Sequence, residues 1–127
     1  MWRVLIVDDE PNLRRLYRES LEADGHEVVT ADSAESCLTR LERDSPDLVV
    51  LDVRMPGMDG LEALGKILER HPRMPVVLNS AFSSYRDNFL SWTADAYLVK
   101  SSDVGPLRST VRRLLEGPRR APGPSTV

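Results

Sequence analysis

At 127 residues, with 41% hydrophobic and 29% charged side chains, the chain has the size and composition of one globular domain that buries a core. Its formal charge of -3, from 17 basic and 20 acidic residues, gives no general electrostatic pull toward nucleic acid or anionic membrane. The single cysteine, Cys37, excludes an intrachain disulfide and a cysteine-rich zinc site, and no apolar run nears the ~20 residues that span a bilayer.

Met1-Trp2-Arg3 leads directly into the apolar run Val4-Leu5-Ile6-Val7, which stops at Asp8-Asp9. The basic region, long apolar stretch and small-residue site of a signal peptide are not there, so the chain reads as soluble and cytoplasmic. Leu13, Leu16, Tyr17 and Leu21 then share one helical face, and Gly25 is placed to end that helix. Val28-Val29, flanked by His26, Glu27 and Thr30, is short and suits the edge of a sheet. Ala34, Cys37, Leu38 and Leu41 form the next stripe, after a capping candidate at Asp32 or Ser33. Cys37 reads there as a small core residue.

Leu48-Val49-Val50-Leu51 runs into Asp52, and Pro56-Gly57 and Asp59-Gly60 are turn signals that fold the following loop back. Leu61, Leu64 and Leu68 predict a helix after Asp59, and Val76-Val77-Leu78 a strand that ends at Ser80. Between Ser84 and Trp92 the helical pattern is weak, because Asn88, Ser91 and Thr93 are poor helix formers. Ala96-Tyr97-Leu98-Val99 ends at Lys100, and Val104, Leu107, Val111 and Leu114 follow the caps Ser102-Asp103. Arg112 and Arg113 favour a helix C-terminus, and His26 and His71 read as solvated loop residues. The ordered domain spans residues 1–116. The stretch 117–127, with three prolines and two glycines, reads as disordered tail or as the start of a linker.

Continuous apolar runs are the mark of strands buried on both faces, and strand-helix alternation at this spacing predicts a doubly wound parallel α/β sheet of five strands. In such a sheet all the strand ends just named lie on one edge, where ligands of open α/β sheets bind. If the first and third strands are neighbours, Asp8, Asp9 and Asp52 crowd together, which is unfavourable unless a cation joins them. Hard oxygen ligands suit Mg²⁺. For any single position a solvated loop start explains a polar residue equally well. Acids, a hydroxyl and a lysine at four strand ends together favour a site.

The segments VLIVDDEP (Val4 to Pro11), PDLVVLDVRMPGMDG (Pro46 to Gly60), VVLNSA (Val76 to Ala81) and AYLVK (Ala96 to Lys100) stand in the order and spacing of a known family. Over residues 3–116 the chain resembles the receiver domain of bacterial two-component response regulators. The resemblance implies a flavodoxin-like fold with strand order 2-1-3-4-5 and a phosphoryl group accepted on Asp52. It further implies Mg²⁺ bound by Asp9 and Asp52, by Asp8 often through water, and by the backbone carbonyl of Arg54. Ser80 and Lys100 would contact the phosphoryl group, and Tyr97 resembles the aromatic residue whose rotamer follows activation. The resemblance also places Arg54 and Phe82, two residues after Asp52 and Ser80, at positions that flank the phosphoryl group in that family, where their bulk would obstruct the attacking water.

The implied partners are a sensor histidine kinase or histidine phosphotransfer protein and an unknown downstream protein, with no direct contact to nucleic acid or membrane. No output domain is visible, which points to a stand-alone receiver, with the N-terminal piece of a transcription regulator as the alternative. A phosphorylation-independent pseudo-receiver is disfavoured by the complete acidic set, and a nucleotide enzyme by the lack of a glycine-rich loop after the first strand. One departure from the family is Ser101, where receivers usually carry a proline in a cis bond. A non-proline cis bond costs ~2.5–4 kcal/mol, so Lys100–Ser101 should be trans. The surface of the 84–92 segment, fifth strand and last helix, which commonly carries dimerisation in that family, should then differ.

Overall fold

The computed structural model describes residues 2–55, 57–81 and 93–117. Phe82, Trp92, the 84–92 segment and the tail from residue 118, with Arg119 and Arg120, lie outside the described residues. Five strands, β1 (Arg3–Val7), β2 (Glu27–Ala31), β3 (Leu48–Leu51), β4 (Val76–Ser80) and β5 (Ala96–Val99), form one sheet in the order β2-β1-β3-β4-β5. Every pairing is parallel, which is the doubly wound, flavodoxin-like arrangement. The described helices are α1 (Pro11–Ala23), α2 (Ala34–Asp44), α3 (Gly60–Arg70) and α4 (Gly105–Glu116).

Alternation of side chains across the strands explains why the apolar runs are unbroken. Leu5, Val7, Val49, Leu51, Val76 and Leu78 face one core with Cys37 and Leu41 of α2 and Leu64 and Ile67 of α3. Val4, Ile6, Leu48, Val50 and Val77 face the other, against Tyr17 and Leu21 of α1 and Leu107, Val111 and Leu115 of α4. A strand flanked by two cores cannot carry a polar face, and each fully buried aliphatic residue contributes about 1.5–3 kcal/mol. The fifth run departs from that expectation. β5 is an edge strand, only half-buried, and leaves Val99 40% exposed.

Helix ends follow local chemistry. Past α1, Gly25 takes φ +93, with its N–H on the Glu22 carbonyl and that of His26 on the Leu21 carbonyl, a Schellman closure. Ser33 and Ser36 form a reciprocal capping box on α2, and the Asp59 carboxylate accepts the Glu62 N–H at the start of α3. α4 differs from the sequence reading, because Ser102 and Asp103 do not occupy its N-cap. Val104 is the cap residue, Asp103 Oδ1 accepts the Gly105 N–H at 2.9 Å, and Pro106 brings no donor that needs a partner. Lys100–Ser101 is trans, and among the described residues no peptide bond is cis.

Candidate functional site

Register places the polar strand ends side by side. Val7 lies opposite Leu51, Leu51 opposite Leu78, and Ser80 opposite Val99. Backbone hydrogen bonds run one residue past the strands: Asp8 N–H to the Ala31 carbonyl, Asp52 N–H to Val7, Lys100 N–H to Ser80. Each chemically active residue therefore leaves the sheet from a fixed backbone, which is what a precise site requires.

One carboxylate oxygen from each of Asp8, Asp9 and Asp52 lies within 4.8 Å of the others. Asp8 and Asp52 are buried. Between them stands the Lys100 ammonium, 2.8 Å from Asp8 Oδ2 and 3.1 Å from Asp52 Oδ2. Burial pushes the Asp52 carboxyl up to about 6, with Asp8 adding to the rise, while Lys100 and the Arg54 backbone N–H pull against it. Burial also opposes the charge of Lys100, but the hydrogen bond it donates to Asp8 and the charges of both carboxylates outweigh it, and its pKa is raised. Three carboxylates and one ammonium leave net negative charge in a partly shielded pocket. That donor set fits a hard divalent cation such as Mg²⁺.

The surroundings lock this arrangement. Asp8 Oδ1 accepts the Glu10 N–H at 2.9 Å, which ties the acid to the start of α1, and Arg14 Nη1 donates to the Asp8 carbonyl at 2.7 Å. After Asp52, the loop closes through the Gly60 N–H on the Val53 carbonyl at 2.6 Å. A Cβ on Gly60 would sit 2.1 Å from the Asp52 carbonyl oxygen, an overlap with backbone that no side-chain motion relieves. Gly57, at φ +81, supplies the turn in the same loop.

Of the residues expected from sequence, Asp8, Asp9, Asp52 and Lys100 come together directly. Ser80 is fully buried at the end of β4, next in the sheet to the strand that carries Lys100. Tyr97 is half-buried on β5 opposite Leu78, packed against the core shared with α2 and α3. The Arg54 side chain is exposed, and Phe82 lies outside the described residues. The sequence reading missed Gly60 as a steric requirement, Arg14, and a buried polar pair. Tyr17 is 2% exposed and Asn79 is 4% exposed, and both face the core of α1 and α4. A polar residue inside the run Val76 to Ser80 was the available signal for Asn79.

Residues 4–112 match the family model of the response regulator receiver domain. The response regulator protein FleR of Pseudomonas aeruginosa is 40% identical over 87% of this chain, and the transcriptional regulatory protein TcrX of Mycobacterium tuberculosis, named as probable, is 36% identical over 98%. These matches span 24% and 52% of those two proteins, so the chain corresponds to about a quarter to a half of such relatives. Among solved structures, the response regulator protein TrrA of Thermotoga maritima in complex with Mg²⁺-BeF is 42% identical with a TM-score of 0.86, covering 89% of this chain and 98% of that one. A structure of histidine kinase ThkA in complex with TrrA matches with 41% identity, a TM-score of 0.85 and coverage of 92% and 100%.

Proposed function

The chain belongs to the response regulator receiver domain family, and we propose that Asp52 is its phosphoryl acceptor. The observation that carries this reading is the cluster of three acids, two of them buried, with Lys100 bridging Asp8 and Asp52 at 2.8 and 3.1 Å. In the transfer, an Asp52 carboxylate oxygen forms a bond to phosphorus while the bond from phosphorus to the donor atom breaks, and the donor keeps that electron pair. Asp52 must be ionised to attack. With its pKa raised to about 6, it is mostly so at neutral pH.

Asp9, Asp52 and the Arg54 carbonyl would hold Mg²⁺. Asp8, whose two oxygens already accept from Glu10 and Lys100, would assist through water. When bound, the cation neutralises phosphoryl charge and orients the oxygens. Lys100 pairs with the transferred group, the Ser80 hydroxyl donates to one of its oxygens, and Tyr97 follows by a change of rotamer. The exposed Arg54 side chain shields the product from water. The phosphoryl donor is a sensor histidine kinase or histidine phosphotransfer protein, which accords with the TrrA–ThkA complex. The receiving partner downstream is a protein.

Incubation with acetyl phosphate and Mg²⁺ should add one phosphoryl mass to the chain. Chelation, or Asp52→Asn, should abolish the gain. Undiminished labelling of Asp52→Asn would overturn the assignment.

A further inference from the structure

On the side of α1 and α4 lies a crevice of about 140 Å³ that Tyr17, Asn79, Leu98, Ser101, Asp103 and Leu107 help to line. The Tyr17 hydroxyl is buried and completes no hydrogen bond there. The neighbouring Asn79 amide perturbs the phenol, but its geometry falls short of a bond. A buried hydroxyl without a partner is unfavourable, so its retention calls for a role. Lys100 follows Leu98 on the strand face turned to α1 and α4, and Leu98 lines the crevice. An ammonium has three donors. Asp8 and Asp52 accept two of them, which leaves the third with no protein acceptor among the described residues.

We propose that Tyr17 is a positioning residue for Lys100: its hydroxyl accepts the third ammonium N–H through one water held in the crevice. The crevice is roomy enough, because a water needs only about 10–15 Å³ and two to four polar partners, here Lys100, Tyr17 and Asn79. With all three donors engaged, the ammonium is fixed between the two carboxylates instead of swinging toward one. Charge reaches across the same gap, since Lys100, Asp8 and Asp52 all act on the Tyr17 phenol. This inference rests on the reading of Asp52 as acceptor and Lys100 as the cation that serves it.

Lys66 and Lys100 are the only lysines, so a full chain labelled with ¹⁵N in lysine alone gives two side-chain ammonium signals, with exposed Lys66 as internal reference. Tyr17→Phe removes the hydroxyl and keeps the ring. In the metal-free protein it should speed exchange of the Lys100 ammonium protons with water by about tenfold, the factor one charge-assisted hydrogen bond carries, and leave Lys66 unchanged. It should also slow labelling by acetyl phosphate. If the hydroxyl were only a packing defect, Tyr17→Phe would be neutral or stabilising and would leave the Lys100 signal alone, which overturns the proposal. Slower labelling with an unchanged Lys100 signal overturns it too, because the hydroxyl would then act elsewhere. Failure of the acceptor reading is distinguishable, since it shows as labelling that survives Asp52→Asn, whereas ammonium exchange is read without any phosphodonor.

Discussion

The two ends of the sheet carry similar charges under opposite conditions. At the C-terminal end, Lys100 meets Asp8 and Asp52 with side-chain exposures of 11%, 2% and 5%. At the N-terminal end, Arg3 pairs with Glu27 at 37% and 48% exposure, and His71 with Glu42 at 34% and 54%. A crevice of about 440 Å³, lined by Pro46, Asp47, His71, Pro72, Met74 and Pro75 among others, is also at that end and is larger than the one beside Tyr17 and Asn79. Size therefore does not mark the site. Exposed pairs exchange water for a partner at almost no net gain, whereas buried acids are retained against their own desolvation. Only the second arrangement is hard to explain as folding chemistry.

The largest expected effect follows from breaking the buried cluster. Lys100→Met leaves Asp8 and Asp52 as neighbouring carboxylates with no cation, and removal of one partner from a buried charge pair typically destabilises by about 3–5 kcal/mol. The loss should be full near pH 8 and smaller near pH 5, where Asp52, already raised to about 6, takes up a proton. Urea unfolding at the two pH values checks this. Equal losses at both would show that the cluster does not behave as a buried charge site.

Much of this contrast was legible in the chain itself. Continuous runs such as Val4 to Val7 and Leu48 to Leu51 suit strands between two cores, and the polar residue that ends each run lies at the edge where open α/β sheets bind their ligands. Asp8, Asp52, Ser80 and Lys100 were visible for that reason. Gly60 was legible only as a turn residue, because its steric role depends on where the Asp52 carbonyl passes, a tertiary fact. Tyr17 sat on an apolar stripe and passed for packing, since periodicity cannot report an unsatisfied hydroxyl. The start of α4 was misread because Ser102-Asp103 has capping chemistry, yet Asp103 uses it on the Gly105 N–H from one residue ahead of the Val104 cap.

A second expected effect has the opposite sign. The folded pKa of Asp52 is about 6 against an ordinary 3.8, so protonation favours the folded state. The associated stability is complete below pH 3.8 and is lost as pH rises through about 6. At pH 7 to 8 the ionised acid thus opposes folding by about 3 kcal/mol, at 1.36 kcal/mol per pH unit. Asp52→Asn should raise stability by up to that amount near pH 8 and flatten the profile between pH 4 and 6, while labelling disappears. Urea midpoints across pH measure it, and a variant less stable than wild type at pH 8 would refute the strain assigned to the site.

The smallest effect belongs to the other end of the sheet. Arg3 Nη2 lies 3.2 Å from Glu27 Oε1, but the guanidinium is held independently, because its Nη1 donates to the Asp44 carbonyl. The Arg3 backbone is anchored as well, with its N–H on Asp47 Oδ2 at 2.8 Å and its carbonyl accepting from Asp47 N–H at 2.7 Å. Loss of Glu27 therefore removes one screened contact and frees nothing buried. Glu27→Gln should change stability by less than about 0.5 kcal/mol, and the change should vanish in molar salt, where the Debye length falls to about 3 Å. The same charge-to-amide replacement at Asp52 should move stability several times as far and upward, with little dependence on salt. Chemical denaturation of the two variants at low and high salt sets them side by side. A large, salt-resistant loss for Glu27→Gln would mean that the ends of the sheet differ less than their exposures indicate.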